Sequence, residues 1–372
     1  MDKPVSTRVP TQVGKLVLRT LALAVVASLI VFTVLRAIPG NPARVALGVT
    51  ATEEEVAALT REMGLDAPLW RQYLDWMGGV LRGDFGVSLA SGTNITAQVW
   101  DRAQVSLILV AVSMLLAVII ALVVGTFGAR AGAWGSAVSV ASQVGIAVPS
   151  FLVGVLLVAV VSVRLGWLPS GGWVPPGVDF SAFVQRLILP VIALTLVQAA
   201  VLIRYVRSAM LEVMASDFIR TAIAFGASYW GAALRHGLRS VAVSLTTVMG
   251  IQLTTLVVGA VVIERVFVIP GLGSLLLDAV ASRDLVTVQA VVYLLVLFSL
   301  LVAFVVELLV LAIDPRLRSQ HVRRSPHDSP SSSRWKNWPG HGPGRGCGCG
   351  DFLGVDSRRS SLRSPGGASC GA

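Results

Sequence analysis

The stretch that decides the fold is SDFIRTAIAFGASYWGAALRHGLRS, residues 216–240. It lies between two of the most apolar runs of the chain, yet it carries an aspartate, three arginines, a histidine and four aromatic residues. It also contains three glycines. An apolar core built from Leu, Val, Ala and Ile has no need of such a segment, so the segment requires an explanation of its own.

The spacing within this stretch predicts two short helices joined at a glycine. Asp217 is the predicted N-cap. Apolar residues follow it at helical intervals, namely Phe218, Ala222, Phe225 and Tyr229. Gly226 stands where a helix would end in the left-handed conformation, and Ser228 is placed to cap a second helix. The residues alone leave two interpretations open: an elbow in the headgroup layer of a membrane, or an element that docks in a groove of a partner.

The composition is that of a membrane protein. Of the 372 residues, 55% are hydrophobic and 13% are charged, whereas a soluble domain carries about a quarter charged residues. The formal net charge is +10, but residues 319–372 hold eight basic and three acidic residues and therefore half of that charge. The remaining chain has no basic stripe that could bind a nucleic acid.

Runs without charged residues predict six membrane-spanning helices, since a helix needs about 20 residues to cross a bilayer. The predicted spans are residues 16–37, 103–128, 136–163, 186–206, 241–263 and 289–312. A cleaved signal peptide is the alternative for the first, but the sequence that follows it, LRAIPGNPA, lacks a small-x-small cleavage site. Pro149 predicts a kink in the third span, and the closely spaced Gly125 and Gly128 predict close helix packing.

The basic residues predict the orientation of these spans. Six spans place both termini on one side, and that side also holds Lys15, Arg19, Arg130 and the arginines of residues 204–239. Because basic residues are enriched in cytoplasmic loops, both termini are predicted to be cytoplasmic. The expected location is the cell membrane, which the chain crosses several times.

Residues 39–102 are then external, and two helices are predicted within them. Thr52 and Glu55 form the pattern of a capping box, and Gly64 ends the first helix. The second helix, LWRQYLDWMGGVL, carries aromatic and sulfur-containing residues broadly on one side, which suits a membrane interface. These residues are Trp70, Tyr73, Trp76 and Met77. A scaffold packed on the spans is favoured over a ligand site.

Few residues could support catalysis within the membrane body. All three cysteines follow residue 318, and His236 is the one histidine before it, so a metal site or a Ser–His pair cannot be assembled there. A nucleotide-binding P-loop needs G-x-x-x-x-G-K-[ST], and Lys15 is followed by leucine. The chain is therefore expected to bind no cofactor, and any ATP hydrolysis belongs on a separate subunit.

The pattern DFIRTAIAFG followed by LRHGLRS resembles the coupling loop of permease subunits of binding-protein-dependent ABC importers. It is most similar to the dipeptide, oligopeptide and nickel branch. Further motifs resemble the same family in order: PGNP (39–42), GLDAP (64–68), GDFGVS (83–88), ILP (188–190), VFVIPGLG (266–273) and DPR (314–316). The resemblance covers about 300 residues. Phe225 stands where the family usually has lysine, and Ser244 where it has proline.

The resemblance implies an all-α membrane protein with six transmembrane helices and the type I ABC importer fold. It implies a permease subunit that moves peptides, or a small solute such as nickel, across the cytoplasmic membrane. The implied partners are a second, different permease, two cytoplasmic ATPase subunits that hold ATP and magnesium, and an external solute-binding protein. The implied ATPase-coupling residues are Asp217, Arg220, Thr221, Ala222, Phe225, Gly226, Ser228, Tyr229 and His236.

The chain is predicted to have three parts. Residues 1–93 form an N-terminal transmembrane helix with the external region, and residues 94–318 form the transporter domain with its coupling loop at 207–240. Residues 319–372 are rich in Gly, Ser, Pro and Arg and are predicted to be disordered. This tail fits a gene read out of frame beyond the end of the family pattern; a regulatory tail is the alternative. Within the last span, Glu307 is an intramembrane acid, for which a structural role is predicted.

Two other functions remain as alternatives. An intramembrane hydrolase would need a nucleophile and a base at depth, but the G-x-S-x-G at residues 367–371 lies in the tail without the strand and helix that this motif requires. A stand-alone channel or secondary transporter for small solutes would not need the elbow, and such folds often show inverted repeats, which this sequence does not show.

Overall fold

The computed structural model describes residues 8–38, 42–48, 50–130, 132–226, 228, 231 and 237–313. Within these ranges the chain is helical, with one isolated bridge between Val87 and Asn94 and no strand. The helices are α1 (Arg8–Arg36), α2 (Pro42–Leu47), α3 (Glu53–Glu62), α4 (Leu69–Leu81), α5 (Ile95–Gly128), α6 (Ala133–Ala147), α7 (Ser150–Leu157), α8 (Phe180–Met214), α9 (Asp217–Ala224), α10 (Leu238–Val266), α11 (Leu272–Ala281) and α12 (Leu285–Ile313). A π-helical segment, Val158–Arg164, continues α7.

Five of these helices are long and apolar enough to cross a membrane, and a bent pair of helices reaches the same length and hydropathy when the two are taken together. The five lie in α1, α5, α8, α10 and α12. Their positions confirm the six predicted spans, although α5 and α8 begin earlier, at Ile95 and Phe180. With 34 and 35 residues, these two helices are each about 50 Å long at 1.5 Å per residue, against about 30 Å for the apolar core of a bilayer.

The predicted third span, residues 136–163, is interrupted by a break between two helices. The segment Ala133–Ala147 meets the segment Ser150–Arg164 at an angle of 94°. Proline disfavours the helical conformation in the residue before it and cannot donate the next helical hydrogen bond. Accordingly Val148 is extended, with φ −92° and ψ 121°, and Pro149 becomes the N-cap of α7. The predicted kink is confirmed, and it is much sharper than expected.

The core lies between α5, α8 and α10. Fully buried side chains from all three helices meet there, among them Leu109, Leu202 and Leu256. Small residues allow the close approach: a Cβ added to Gly125 would lie 2.7 Å from Val206, and one added to Gly128 would lie 2.8 Å from Val138. The packing role predicted for these two glycines is therefore confirmed. In α8, Pro190 lies inside the helix and removes one backbone donor.

The first helix predicted within residues 39–102, α3, has the predicted capping box. Thr52 Oγ1 accepts the N–H of Glu55 at 3.3 Å, and Glu55 Oε2 accepts the N–H of Thr52 at 2.8 Å. The hydrogen bond from the Thr52 N–H favours the charged carboxylate and lowers the pKa of Glu55. Gly64 follows with φ +63°, in the left-handed region where glycine is favoured.

The second helix predicted within residues 39–102, α4, packs inward through part of its aromatic side. Tyr73 and Trp76 pack inward on Phe32 of α1, with ring centroids 5.5 Å and 6.1 Å apart, and Trp76 also contacts Tyr293 of α12. Trp70 is exposed instead. Trp70 lies about 60° from Tyr73 and about 120° from Trp76 around α4, so it stands at the edge of the predicted aromatic side and stays exposed.

Candidate functional site

The elbow, residues 216–240, leaves the bundle at the end of α8. Ser216 is extended, with φ −69° and ψ 147°, and is the N-cap of α9. Its hydroxyl donates backward to the carbonyl of Val213 at 2.6 Å. The predicted N-cap, Asp217, is instead the first residue of the helix, because the chain takes its extended conformation one residue earlier. Asp217 lies 3.7 Å from Arg220 in an exposed ion pair that contributes little stability.

Helix α9 packs on the protein through Ile219, while the aromatic residues of its predicted apolar face are exposed. Ile219 is fully buried, and Ala222 is half-buried. Phe218 is 62% exposed and Phe225 is 88% exposed. The aromatic residues thus share a side of the helix, as predicted, and both rings are largely exposed. Thr221 is exposed and donates its hydroxyl to the carbonyl of Asp217 at 2.8 Å.

The turn after α9 requires glycine because of its backbone conformation, not because a larger side chain would clash. Gly226 has φ +96°, and no atom of the described residues lies within 4 Å of where its Cβ would be. The predicted left-handed position is confirmed. Ser228 Oγ then accepts the N–H of Gly231 at 3.1 Å, which is the N-cap to N3 contact that starts a helix. Tyr229 and His236 lie outside the described residues.

The C-terminal end of the elbow contacts α8 close to the point where the N-terminal end of the elbow leaves that helix. Gly237 is buried, and a Cβ on it would lie 2.6 Å from the sulfur of Met210. Met210 is one turn before the end of α8 at Met214, and α10 begins at Leu238. Both ends of the elbow therefore lie at the same end of α8.

Polar groups lie within the membrane core between α5, α8 and α10. Gln252 donates its side-chain amide to Gln198 Oε1 at 2.7 Å. Thr195 donates to the carbonyl of Ser113 at 3.3 Å, and the hydroxyl of Ser113 is buried with no partner among the described residues. Polar residues at this depth often mark a transport pathway. Sequence reasoning missed them because it searched for charged residues; the glutamines inside apolar runs were the available signal.

A buried carboxylate organises the C-terminal end of α10. Glu264 accepts the hydroxyl of Ser106 at 2.6 Å and the N–H groups of Gly273 and Ser274 at 2.8 Å and 3.1 Å. The hydroxyl of Ser106 in turn accepts the N–H of Leu272 at 2.8 Å. We call these five residues the Glu264 cluster. It caps the first turn of α11 and ties it to α5, and sequence reasoning did not identify it.

Glu307 lies on α12 and forms an ion pair with Arg19 of α1, in which both side chains are partly exposed. The pair joins the first and last spans, in keeping with the structural role predicted for this acid. Within the described ranges no three His, Cys, Asp or Glu residues are grouped as they would be to bind a metal ion.

Comparisons with known proteins identify the family. Residues 113–319 match the family described as binding-protein-dependent transport system inner membrane component, and residues 13–110 match its N-terminal domain. A probable peptide ABC transporter permease of Sinorhizobium fredii is 35% identical over 301 residues, covering 80% of this chain and 96% of the relative. A glutathione transport system permease of Escherichia coli K12 is 36% identical over 298 residues, covering 79% and 94%.

A solved structure supports the fold. The MetNI methionine ABC transporter, in an inward-facing conformation, superposes with a TM-score of 0.50 at 21% identity, covering 58% of this chain and 96% of that chain. The expectation of a type I ABC importer fold is confirmed, and a stand-alone channel and a hydrolase are excluded as the function. This chain belongs to the inner membrane component family of binding-protein-dependent transport systems: it is a multi-pass permease subunit of an ABC importer, working with other ABC subunits, and ATP hydrolysis is carried out on a separate one.

Proposed function

We propose that this permease imports peptides, and that small peptides such as glutathione are within its range. The observation that carries the proposal is the similarity to peptide and glutathione permeases over nearly their whole length. The pair Gln198 and Gln252 supports it, because amide side chains can donate to and accept from the peptide groups of a passing substrate. The chain is mostly apolar around this pair, so substrate contacts there depend on hydrogen bonds rather than charge.

The proposed assembly contains a second permease subunit, two cytoplasmic ATPase subunits that hold ATP and magnesium, and an external solute-binding protein. In this assembly the elbow is the contact with an ATPase. The support is the exposed aromatic side of α9, with Phe225 at its end, on a segment whose two ends lie at the same end of α8. A groove on the ATPase that receives Phe225 would remove an aromatic ring from water.

The substrate class is tested by competition during uptake. Cells that express this chain with its partner subunits are given a labelled dipeptide, and unlabelled peptides, glutathione, free amino acids or nickel ions are added in excess. We expect peptides and glutathione to suppress uptake of the label, and amino acids and nickel to leave it unchanged. Suppression by nickel alone, or failure to take up any peptide, would contradict the proposal.

The proposed orientation places both termini and the elbow in the cytoplasm and residues 39–102 outside. To test it, the three native cysteines are replaced by serine, and single cysteines are introduced at Asp66 and at Ser228, both of which are exposed. In intact cells we expect a membrane-impermeant thiol reagent to label Asp66→Cys and not Ser228→Cys. Permeabilised cells serve as the control, since both variants should then be labelled. The reverse pattern in intact cells would invert the topology.

A further inference from the structure

Two cavities meet at Arg36, the last residue of α1. The first, of about 540 Å³, lies between the end of α1 and the start of α4 and has a mostly apolar lining that includes Leu29, Phe32, Leu69, Trp70 and Leu74. The second, of about 500 Å³, lies between α4 and the start of α12 and is lined in part by Gln72, Asp75 and Gln289. Arg36 and Leu69 line both cavities. The two cavities thus adjoin at these residues, one with an apolar and the other with a partly polar lining.

The partly polar cavity contains two buried amide atoms that lack hydrogen-bond partners among the described residues. Gln72 is 9% exposed, and its Nε2 donates to the carbonyls of Leu65 and Ala67 at 3.0 Å and 2.7 Å, which fixes the orientation of the amide. Its Oε1 is buried and accepts nothing from the described residues. Gln289 is 7% exposed, and its Nε2 is likewise buried without an acceptor in the described chain. Buried polar atoms are almost always paired, so these two call for partners that the described residues do not supply.

The charged groups of the site are also unmatched within the described chain. Neither Arg36 nor Asp75 has an ion-pair partner among the described residues. The Arg36 guanidinium lies over the ring of Phe32, 5.4 Å from its centroid. Gln72 and Asp75 are three residues apart on α4 and therefore lie on the same face of that helix. The site thus offers two acceptors, Gln72 Oε1 and the Asp75 carboxylate, and two donors, Arg36 and Gln289 Nε2.

We propose that this site binds a glycerophospholipid with a primary amine in its headgroup, of the phosphatidylethanolamine type. The ammonium group donates to Gln72 Oε1 and Asp75, and the phosphate accepts from Arg36 and Gln289 Nε2. An acyl chain occupies the apolar cavity beside Trp70. The proposal does not depend on the transported substrate or on the elbow.

A free amino acid or peptide carries the same pair of charges, but the position of the site favours a lipid. Arg36 is the last residue of the first span, and Gln289 lies in the second turn of α12, so both are at the edge of the membrane. Arginine and tryptophan are the side chains that typically occupy this level. The apolar cavity that continues from Arg36 matches an acyl chain and has no counterpart in a small soluble zwitterion.

The experiment measures which lipids remain bound to the intact complex. The full chain with its partner subunits is purified from membranes containing phosphatidylethanolamine, phosphatidylcholine and phosphatidylglycerol, and bound lipids are counted by native mass spectrometry. We expect phosphatidylethanolamine to be retained at least about tenfold over phosphatidylcholine, whose quaternary amine has no N–H to donate. Equal retention of the two lipids would overturn the proposal.

Variants assign the retained lipid to this site. Arg36→Gln and Gln289→Leu should each reduce retention of phosphatidylethanolamine about tenfold. Arg71→Gln is the matched control, since Arg71 is exposed on α4 and lines neither cavity. If Gln289→Leu instead raised thermal stability to the same extent with and without phosphatidylethanolamine, its amide would be an unpaired group without a ligand, and the proposal would fail.

A titration with soluble compounds distinguishes a bound lipid from a bound free zwitterion. Lipid-depleted complex in detergent is titrated with phosphoethanolamine, which lacks acyl chains, and with a short-chain phosphatidylethanolamine. We expect the short-chain lipid to raise the unfolding temperature at concentrations at least about tenfold lower, because it also fills the apolar cavity. Equal potency would mean that the site serves a soluble zwitterion and would overturn the assignment to a lipid.

Discussion

Gly226→Val is expected to reduce import at least about tenfold while the chain still inserts in the membrane. The backbone of Gly226 has φ +96°, where a β-branched residue is strongly disfavoured, at a cost of about 1–2 kcal/mol. Since no atom of the described residues lies within 4 Å of an added Cβ, the effect arises from the backbone and not from a clash. The turn would reform with a different direction and move Phe225 away from its docking position.

Two measurements separate coupling from folding for this variant: uptake of substrate, and co-purification of the ATPase. Both should fall for Gly226→Val, while the amount of inserted chain is unchanged. Gly64→Val is the matched control, because Gly64 also has positive φ and open space around its Cβ, but lies in the external region. It should retain ATPase co-purification. Wild-type uptake by Gly226→Val would show that the elbow is only an interfacial element.

Glu264→Ala is expected to be the most destabilising single change in the described part of the chain. It leaves the hydroxyl of Ser106 and the N–H groups of Gly273 and Ser274 without their acceptor in a buried position. Each buried unpaired group costs about 1–3 kcal/mol, so the loss should reach several kcal/mol. Glu264→Gln should cost less, because its amide oxygen can still accept from the first turn of α11.

The measurement for the Glu264 cluster is the unfolding temperature of the purified chain, together with the yield of folded protein. The expected order of stability is wild type, then Ser106→Ala and Glu264→Gln, then Glu264→Ala. Glu62→Ala removes an exposed acid from α3 and should change little. An unfolding temperature of Glu264→Ala equal to that of the wild type would show that the cluster contributes nothing to stability.

Features encoded by neighbouring residues were predictable from the sequence. The six spans follow from runs of apolar residues, the capping box from Thr52 and Glu55, and the positive φ of Gly226 from its place between two helical patterns. These signals are local, because the residues that cause each feature are within a few turns of one another. The division of the chain into three parts, including the tail, stays a prediction.

Features that depend on distant contacts were not predictable in the same way. Ser106 and Glu264 are 158 residues apart in the sequence, and no periodic pattern predicts their hydrogen bond. Similarly, the exposure of Trp70 depends on where α1 and α12 lie against α4.

The proline inside α8 has a consequence for the amplitude of any motion at the elbow. From Pro190 to Met214 the helix is about 36 Å long at 1.5 Å per residue. Because the proline removes a backbone hydrogen bond, this is the point where the helix bends most easily. A change of about 10° there would swing the far end by about 6 Å, slightly more than the 5.4 Å pitch of one helical turn. A small change of angle inside the membrane would therefore move the start of the elbow sideways by a distance similar to one helical pitch.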